Sequence, residues 1–229
     1  MFQVVKLSDL ACIFEHFDNY PLKTQKHADY LLFKKAFDII SNKQHLTEVG
    51  LHKLISIRAS INKGLPERLQ TAFPNITPAL RPEVIKTNLE HNNLDVKYWI
   101  AGFVSGEGCF FIKTGKSKTH KLGTSVGLNF FVVQNIRDAY LLESFVQFFG
   151  GGYFHIIEKS GVATYAVRNF ALIIDTIIPF FEQYRILGVK AKDFEDFKEA
   201  SSLMKSKDHL TKEGLDKIIL IKSRMNFNR

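Results

Sequence analysis

Residues 8 to 62 of this 229-residue chain return, without a gap, 164 positions later. His45-Leu46-Thr47 falls on His209-Leu210-Thr211, and Gly50-Leu51 on Gly214-Leu215. Phe33-Lys34 falls on Phe197-Lys198, Lys26 on Lys190, Asp29 on Asp193 and Tyr20 on Tyr184. About 18 of the 55 aligned positions are identical, more than a shared helical period produces. The two copies therefore read as one duplicated unit.

The duplicated stretch is helical. Leu10, Ile13, Phe14 and Phe17 recur at helical spacing until Pro21 interrupts them. Tyr30, Leu31, Phe33, Lys34, Phe37 and Ile40 form a second amphipathic helix. Thr47 can cap a third, which carries Leu51, Leu54, Ile55 and Arg58. The stretch from Lys63 to about Asn93 holds Pro66, Pro74, Pro78 and Pro82, four of the six prolines. It reads as a linker that crosses a surface.

A different pattern follows. Trp99 to Ser105 reads as the end of a packed helix, with Ala101, Gly102 and Ser105 one turn apart on a face that lets a partner helix approach closely. Gly106 and Gly108 are expected to free the backbone on both sides of Glu107. That presents an acid at the tip of a helix, where a carboxylate can share a divalent cation with a second one from the partner. Phe110 and Ile112 then open a strand, and residues 115 to 123 make a polar, basic hairpin tip. Residues 124 to 134 alternate, with Val126, Leu128, Phe130 and Val132 on one face; Phe131 and Val133 blur the other. A helix over 138–149 ends at three glycines, two strands over 153–157 and 162–168 turn at Ser160-Gly161, and three helices complete the chain.

Composition narrows the class. Hydrophobic residues are 45% of the chain, enough for a core, and 21 phenylalanines make that core aromatic. A formal charge of +8 suits a polyanionic partner. Cys12 and Cys109 have no metal-type spacing and argue for a reducing compartment. No apolar run reaches the roughly 18 residues of a membrane helix, and no secretory signal is visible. The chain opens directly on Phe2-Gln3-Val4-Val5, which reads like the middle of a fold.

The stretch Ile100-Ala101-Gly102-Phe103-Val104-Ser105-Gly106-Glu107-Gly108 resembles the signature of the LAGLIDADG homing endonucleases. With the four-strand pattern, the repeat and the linker, the whole chain resembles the single-chain, two-repeat members encoded by organellar introns. The resemblance implies an α+β fold. A complete αββαββα unit over 95–229, with a four-stranded antiparallel DNA-binding sheet, follows a linker over 63–94. Before it, 1–62 is the helical remnant of a first repeat whose own signature and strands are expected before Met1. It implies site-specific cleavage of both DNA strands with Mg²⁺ or another divalent cation, and a mitochondrial location.

Carried over residue by residue, Glu107 is the implied metal ligand. Gln134 is the implied polar group ordering water near the scissile phosphate. Lys190 is the cation at the cut phosphate, and Lys26 is its equivalent in the first repeat. Strand parity then exposes Lys113, Ser125, Asn129, His155 and either Thr164 or Arg168 on the sheet face available for base edges. Lys116, Lys118 and Lys121 at the hairpin tip suit phosphate contacts. Two readings stay open: an endonuclease, inactive in this truncated form, or an RNA maturase or non-cleaving nucleic-acid binder whose partner includes intron RNA. They differ in the need for two acids at one seam. Glu182, Glu195 and Glu199 lack the signature context, so the second acid requires self-association through the Gly102/Ser105 face or an upstream segment. The isolated chain is expected to bind DNA weakly and to cut it poorly.

Overall fold

The computed structural model describes residues 3–84, 86 and 89–226; Phe2 lies outside them. The chain divides into two compact units, Met1–Thr87 and Asn88–Arg229.

The first unit is helical: α1 (Leu10–Asn19), α2 (Lys26–Ser41), α3 (Glu48–Ser60) and the short α4 (Glu67–Ala72). Its core is small. Phe14 on α1 meets the rings of Tyr30, Phe33 and Phe37 on α2. The Tyr30 hydroxyl donates to the Phe14 carbonyl and to Asp18, which pins the two helices together. Burial and the Asp18 carboxylate push its pKa up to about 12.

The turn into α3 explains part of the repeat. Lys43 takes a left-handed conformation (φ 56°), a 3₁₀ turn follows, and the Thr47 side chain accepts from the Gly50 amide at 3.1 Å. A Cβ on Gly50 would lie 1.9 Å from the Gln44 carbonyl oxygen, so only glycine fits. The second unit repeats this with Lys207 (φ 65°), Thr211 and Gly214, where the same Cβ would lie 2.0 Å from the Asp208 oxygen.

The linker departs from expectation. Rather than crossing a surface unpacked, it forms α4 and is tied back to α3. Ser56 and Ser60 hydroxyls donate to the carbonyls of Thr77 and Ala79. Arg81 donates to buried Asp29 at 2.8 Å and to the carbonyls of Gln25 and Ser60. A chain rich in proline lacks amide donors for its own ladder, and here side chains of α3 supply them.

The second unit places helices on one face of a single antiparallel sheet. The helix α5 (Leu94–Glu107) leads into β1 (Gly108–Lys116) and β2 (Thr124–Asn135). Then come α6 (Ala139–Phe148), β3 (Tyr153–Ile157) and β4 (Val162–Val167), in the order β1-β2-β4-β3. The closing helices are α7 (Phe170–Leu172), a π-helical turn over Ile173–Ile177, α8 (Ile178–Gln183), α9 (Lys190–Lys205) and α10 (Lys212–Ser223). Pro179 lies in the first turn of α8 and has no amide to donate backwards, which accounts for the widened turn before it.

Alternation decides the core. Phe110, Ile112, Leu128, Phe130, Val132, Ala163, Tyr165 and Val167 are buried under the helices. Phe110 is the centre, ringed by Phe130, Phe181, Phe194 and Phe197. The imperfect alternation at Phe131 and Val133 is resolved by register. Phe131 pairs Cys109 and Ala166, and Val133 pairs Thr164, all on the uncovered face.

Candidate nucleic-acid interface and cutting site

The site begins with how α5 ends. Asn93 caps its start, accepting from the amides of Asp95 and Val96. Val96, Ile100 and Val104 repeat every fourth residue and fix the helix on the core. Glu107 is the last helical residue and is exposed. Its carboxylate makes no hydrogen bond or ion pair with any described residue. An anion at a helix C-terminus faces the negative end of the helix dipole, so this position favours a nearby cation.

Two expectations about this turn change. Neither Gly106 nor Gly108 has a positive φ. Gly108 is required by space, because a Cβ there would lie 2.5 Å from Val104 Cγ1 and 2.8 Å from the Val104 carbonyl oxygen. The small residues do not share one open face either. Ala101 is buried. The Ser105 hydroxyl donates to the Ala101 carbonyl and accepts from the Leu187 amide at 2.9 Å. Gly102 and Gly106 are the exposed ones, with nothing within 4 Å of an added Cβ.

Lys190 supplies the cation. It is the first residue of α9, and its ammonium donates to the carbonyls of Gly106, at 3.1 Å, and Gly108. The lysine thus holds the carbonyls of the two glycines that flank Glu107. Beside it, Asp193 accepts from the Asn226 amide at 3.0 Å. The Asn226 side chain donates to the Phe110 carbonyl at 3.2 Å and accepts from the Cys109 thiol at 3.5 Å. Burial, aided by Asp193 and opposed by Lys190, pushes the Cys109 thiol up. Lys222 on α10 donates to the Thr114 hydroxyl at 2.7 Å and lies over the Phe111 ring. Lys190, Lys222, Asn226, Cys109, Phe111 and Phe131 line a cavity of about 690 Å³ along the β1 edge.

The uncovered sheet face collects most of the residues expected there. Lys113 pairs Gly127, Ser125 pairs Gly115, Asn129 pairs Phe111, and His155 pairs Thr164. Arg168, beyond β4, shares the parity of Thr164, and its guanidinium sits 4.9 Å from the Tyr153 ring, which stacks on His155. Lys116, Lys118 and Lys121 are exposed at or beside the hairpin tip.

Gln134 does not join them. It pairs the fully buried Ala163 and shares the parity of Val132, so its side chain starts toward the helix layer. In the first unit, Lys26 donates to Asn62 Oδ1 at 2.8 Å and lies 3.6 Å from Asp29. Among the described residues no three His, Cys, Asp or Glu side chains converge as a metal cluster. Glu107 offers the hard oxygens that Mg²⁺ prefers, but as a single carboxylate it is one part of a ligand set.

Asp193, Asn226, Lys222 and Tyr153 escaped the sequence reading as site residues. For Asp193 and Asn226 the signal was available: both are identities of the repeat, with Asp29 and Asn62.

Comparison with known proteins identifies the family and the fold. The LAGLIDADG endonuclease family profile matches residues 1–37 and 100–201. "Probable intron-encoded endonuclease 3" of Neurospora crassa is 38% identical over 97% of this chain and 41% of its own length. "Probable intron-encoded endonuclease 2" of the same fungus is 40% identical over 92% of this chain and 46% of its own. A protein of ND4 intron 1 in Podospora anserina is 36% identical over 50% of this chain and 26% of its own length. The chain thus spans less than half the length of these curated relatives. Among solved structures, the I-SmaMI homing endonuclease bound to cleaved DNA matches with a TM-score of 0.89 at 42% identity. The match covers 98% of this chain and 73% of that one. I-LtrWI bound to its target DNA matches with a TM-score of 0.91 at 42% identity, over 100% and 75%. I-SmaMI has also been solved on uncleaved DNA with calcium ions, and as single and double lysine-to-alanine mutants.

Proposed function

Since the chain belongs to the LAGLIDADG endonuclease family, we propose that it is part of an intron-homing nuclease that hydrolyses DNA phosphodiesters with a divalent cation, and that its own residues build one half of the cutting site. The observation that carries this reading is the Glu107–Lys190 arrangement. A carboxylate without a partner among the described residues stands at a helix end while an ammonium holds the carbonyls of the glycines on both sides of it. Hydrolysis of a phosphodiester needs a Lewis acid, an activated water and positive charge for the transition state.

In this reading Glu107 is one ligand of the cation, which when bound, with Mg²⁺ as the choice its oxygen ligands suit, polarises the phosphate. Lys190 stands where the charge of the pentavalent transition state develops. Gln134 stands near the end of β2, two residues past the Val132 that pairs Gly108, and on the helix side of the sheet where α5 ends in Glu107; it is the polar group for ordering water there. Lys113, Ser125, Asn129, Thr164, His155 and Arg168 read base edges in the major groove, while Lys116, Lys118 and Lys121 contact phosphates and set register. The second acid comes from another acid-bearing unit, upstream in a longer protein or in a second copy docked at Gly102 and Gly106. The ND4 intron of one relative supports a mitochondrial origin.

The test is selection of bound and cut duplexes from a DNA library with Mg²⁺, comparing the chain with Glu107→Gln. We expect both proteins to bind the same duplexes, and the slow site-specific cutting of the parent to fall at least about 100-fold in the variant. Equal cutting by Glu107→Gln would remove Glu107 from the chemistry.

A further inference from the structure

Three polar identities of the repeat, Lys26/Lys190, Asp29/Asp193 and Asn62/Asn226, come together in each unit. We infer that Asn226, seated on Asp193, is a positioning residue that clamps α9 to β1 and so keeps the Lys190 ammonium on the carbonyls flanking Glu107. The inference rests on the reading of Lys190 as the cation at the phosphate.

The geometry is that of a tie between two elements. Asn226 follows α10 in a left-handed conformation (φ 58°), which asparagine tolerates and which turns its amide N–H onto Asp193, one turn into α9 from Lys190. Its side chain then reaches the β1 edge, donating to the Phe110 carbonyl and accepting from the Cys109 thiol. As an edge strand, β1 has carbonyls with no strand neighbour on that side. Lys190 takes Gly108 and Asn226 takes Phe110, successive carbonyls on one edge. A lysine side chain has four rotatable bonds and holds no position by itself. Fixing both the helix that carries it and the strand it grips gives it one. Displacements of about 1 Å at a reacting phosphate cost about 100-fold in rate.

The first unit supports this reading independently. Asn62 is also left-handed (φ 54°), and its backbone bonds Asp29. There Lys26 rests on Asn62 Oδ1 at 2.8 Å. In both units the backbone of the asparagine thus bonds the aspartate one turn from the lysine; in the first the lysine also meets both partners, and in the second it lines one cavity with them and turns to the β1 edge. Helix building alone explains no such convergence.

The discriminating variant is Asn226→Gly, which keeps the left-handed backbone and its amide while removing the side chain. Two readouts are combined. The first is thiol reaction with a disulfide reagent. Exposed Cys12 gives a fast phase, and Cys109, half-buried and bonded to Asn226, gives a slow one. Asn226→Gly is expected to speed the slow phase about tenfold and leave the fast one unchanged. The second is the salt dependence of binding to a duplex selected by the parent chain. Lys190→Ala is expected to lower the slope of log K against log salt by about one, Asn226→Gly to do the same, and the double variant to lower it no further.

An unchanged Cys109 phase would overturn the clamp. A parental slope in Asn226→Gly, with the slope lowered in Lys190→Ala, would overturn the positioning role. A parental slope in Lys190→Ala itself would instead overturn the reading of Lys190 at the phosphate, and the positioning role with it. Asn226→Ser is read the same way if the glycine variant does not fold.

Discussion

Glycines near the signature differ in what they contribute, and the difference is measurable. Gly108 is locked by the Val104 side chain and carbonyl, so Gly108→Ala forces β1 off the end of α5. We expect it to cost about 2–3 kcal/mol in chemical denaturation. Gly102 has open space around it inside a helix. Gly102→Ala should therefore stabilise the isolated chain by about 0.5–1 kcal/mol, the ordinary helix-propensity gain. The same methyl should weaken any assembly that packs a second helix there, seen as a lower association constant in sedimentation. Loss of stability in Gly102→Ala with no change in association would show that this face has another role.

At the scale of elements, the proline-bearing segment is held by one arginine. Asp29 is buried, and burial by itself would raise its pKa; the Arg81 guanidinium outweighs that and, with the Asn62 amide and Lys26, holds it below its ordinary value of 3.8. A carboxyl depressed in the folded state contributes stability above its unfolded pKa, and that contribution is lost as pH falls through the folded value. The first unit should therefore loosen in acid below 3.8, read by tryptophan-independent probes such as far-UV circular dichroism or amide exchange. Arg81→Met leaves Asp29 with less compensation. It should cost about 2–3 kcal/mol at neutral pH and move the acid transition upward. A variant as stable as the parent at both pH values would refute the tie. The Thr47 and Thr211 caps are worth about 1 kcal/mol each, and either alanine variant should show it in denaturation.

Across the whole molecule, charge and aromatic core serve different ends. In the proposed function the +8 charge supplies affinity for DNA, and the hairpin lysines supply it without reading sequence. Replacing Lys116, Lys118 and Lys121 together with alanine should lower the salt slope of DNA binding by two to three (about one per phosphate contact) and weaken all duplexes alike. Replacing Asn129 or Arg168 should instead relax preference at single base positions, costing about 1–3 kcal/mol on the preferred base. If the triple variant keeps the parental slope, the hairpin tip does not contact phosphate.

What the sequence determined by itself was local and periodic. Alternation assigned Leu128, Phe130 and Val132 to the core. Helical spacing and Thr47 located the closing helices, and the 164-residue shift exposed the duplication. Glu107 and Lys190 were legible because a short motif and a repeat marked them. The tertiary structure decided what depends on distance between elements. Gly108 proved to be a matter of space against Val104, and Ser105 turned inward to Leu187. Register sent Gln134 toward the helices, since a side chain at a strand end takes its face from pairing, here with Ala163. Asn226 stands 116 residues from the carbonyl it holds. Sequence shows that such a residue repeats; only the packing of α9 against the β1 edge shows what it touches, because hydrogen bonds form between atoms near in space.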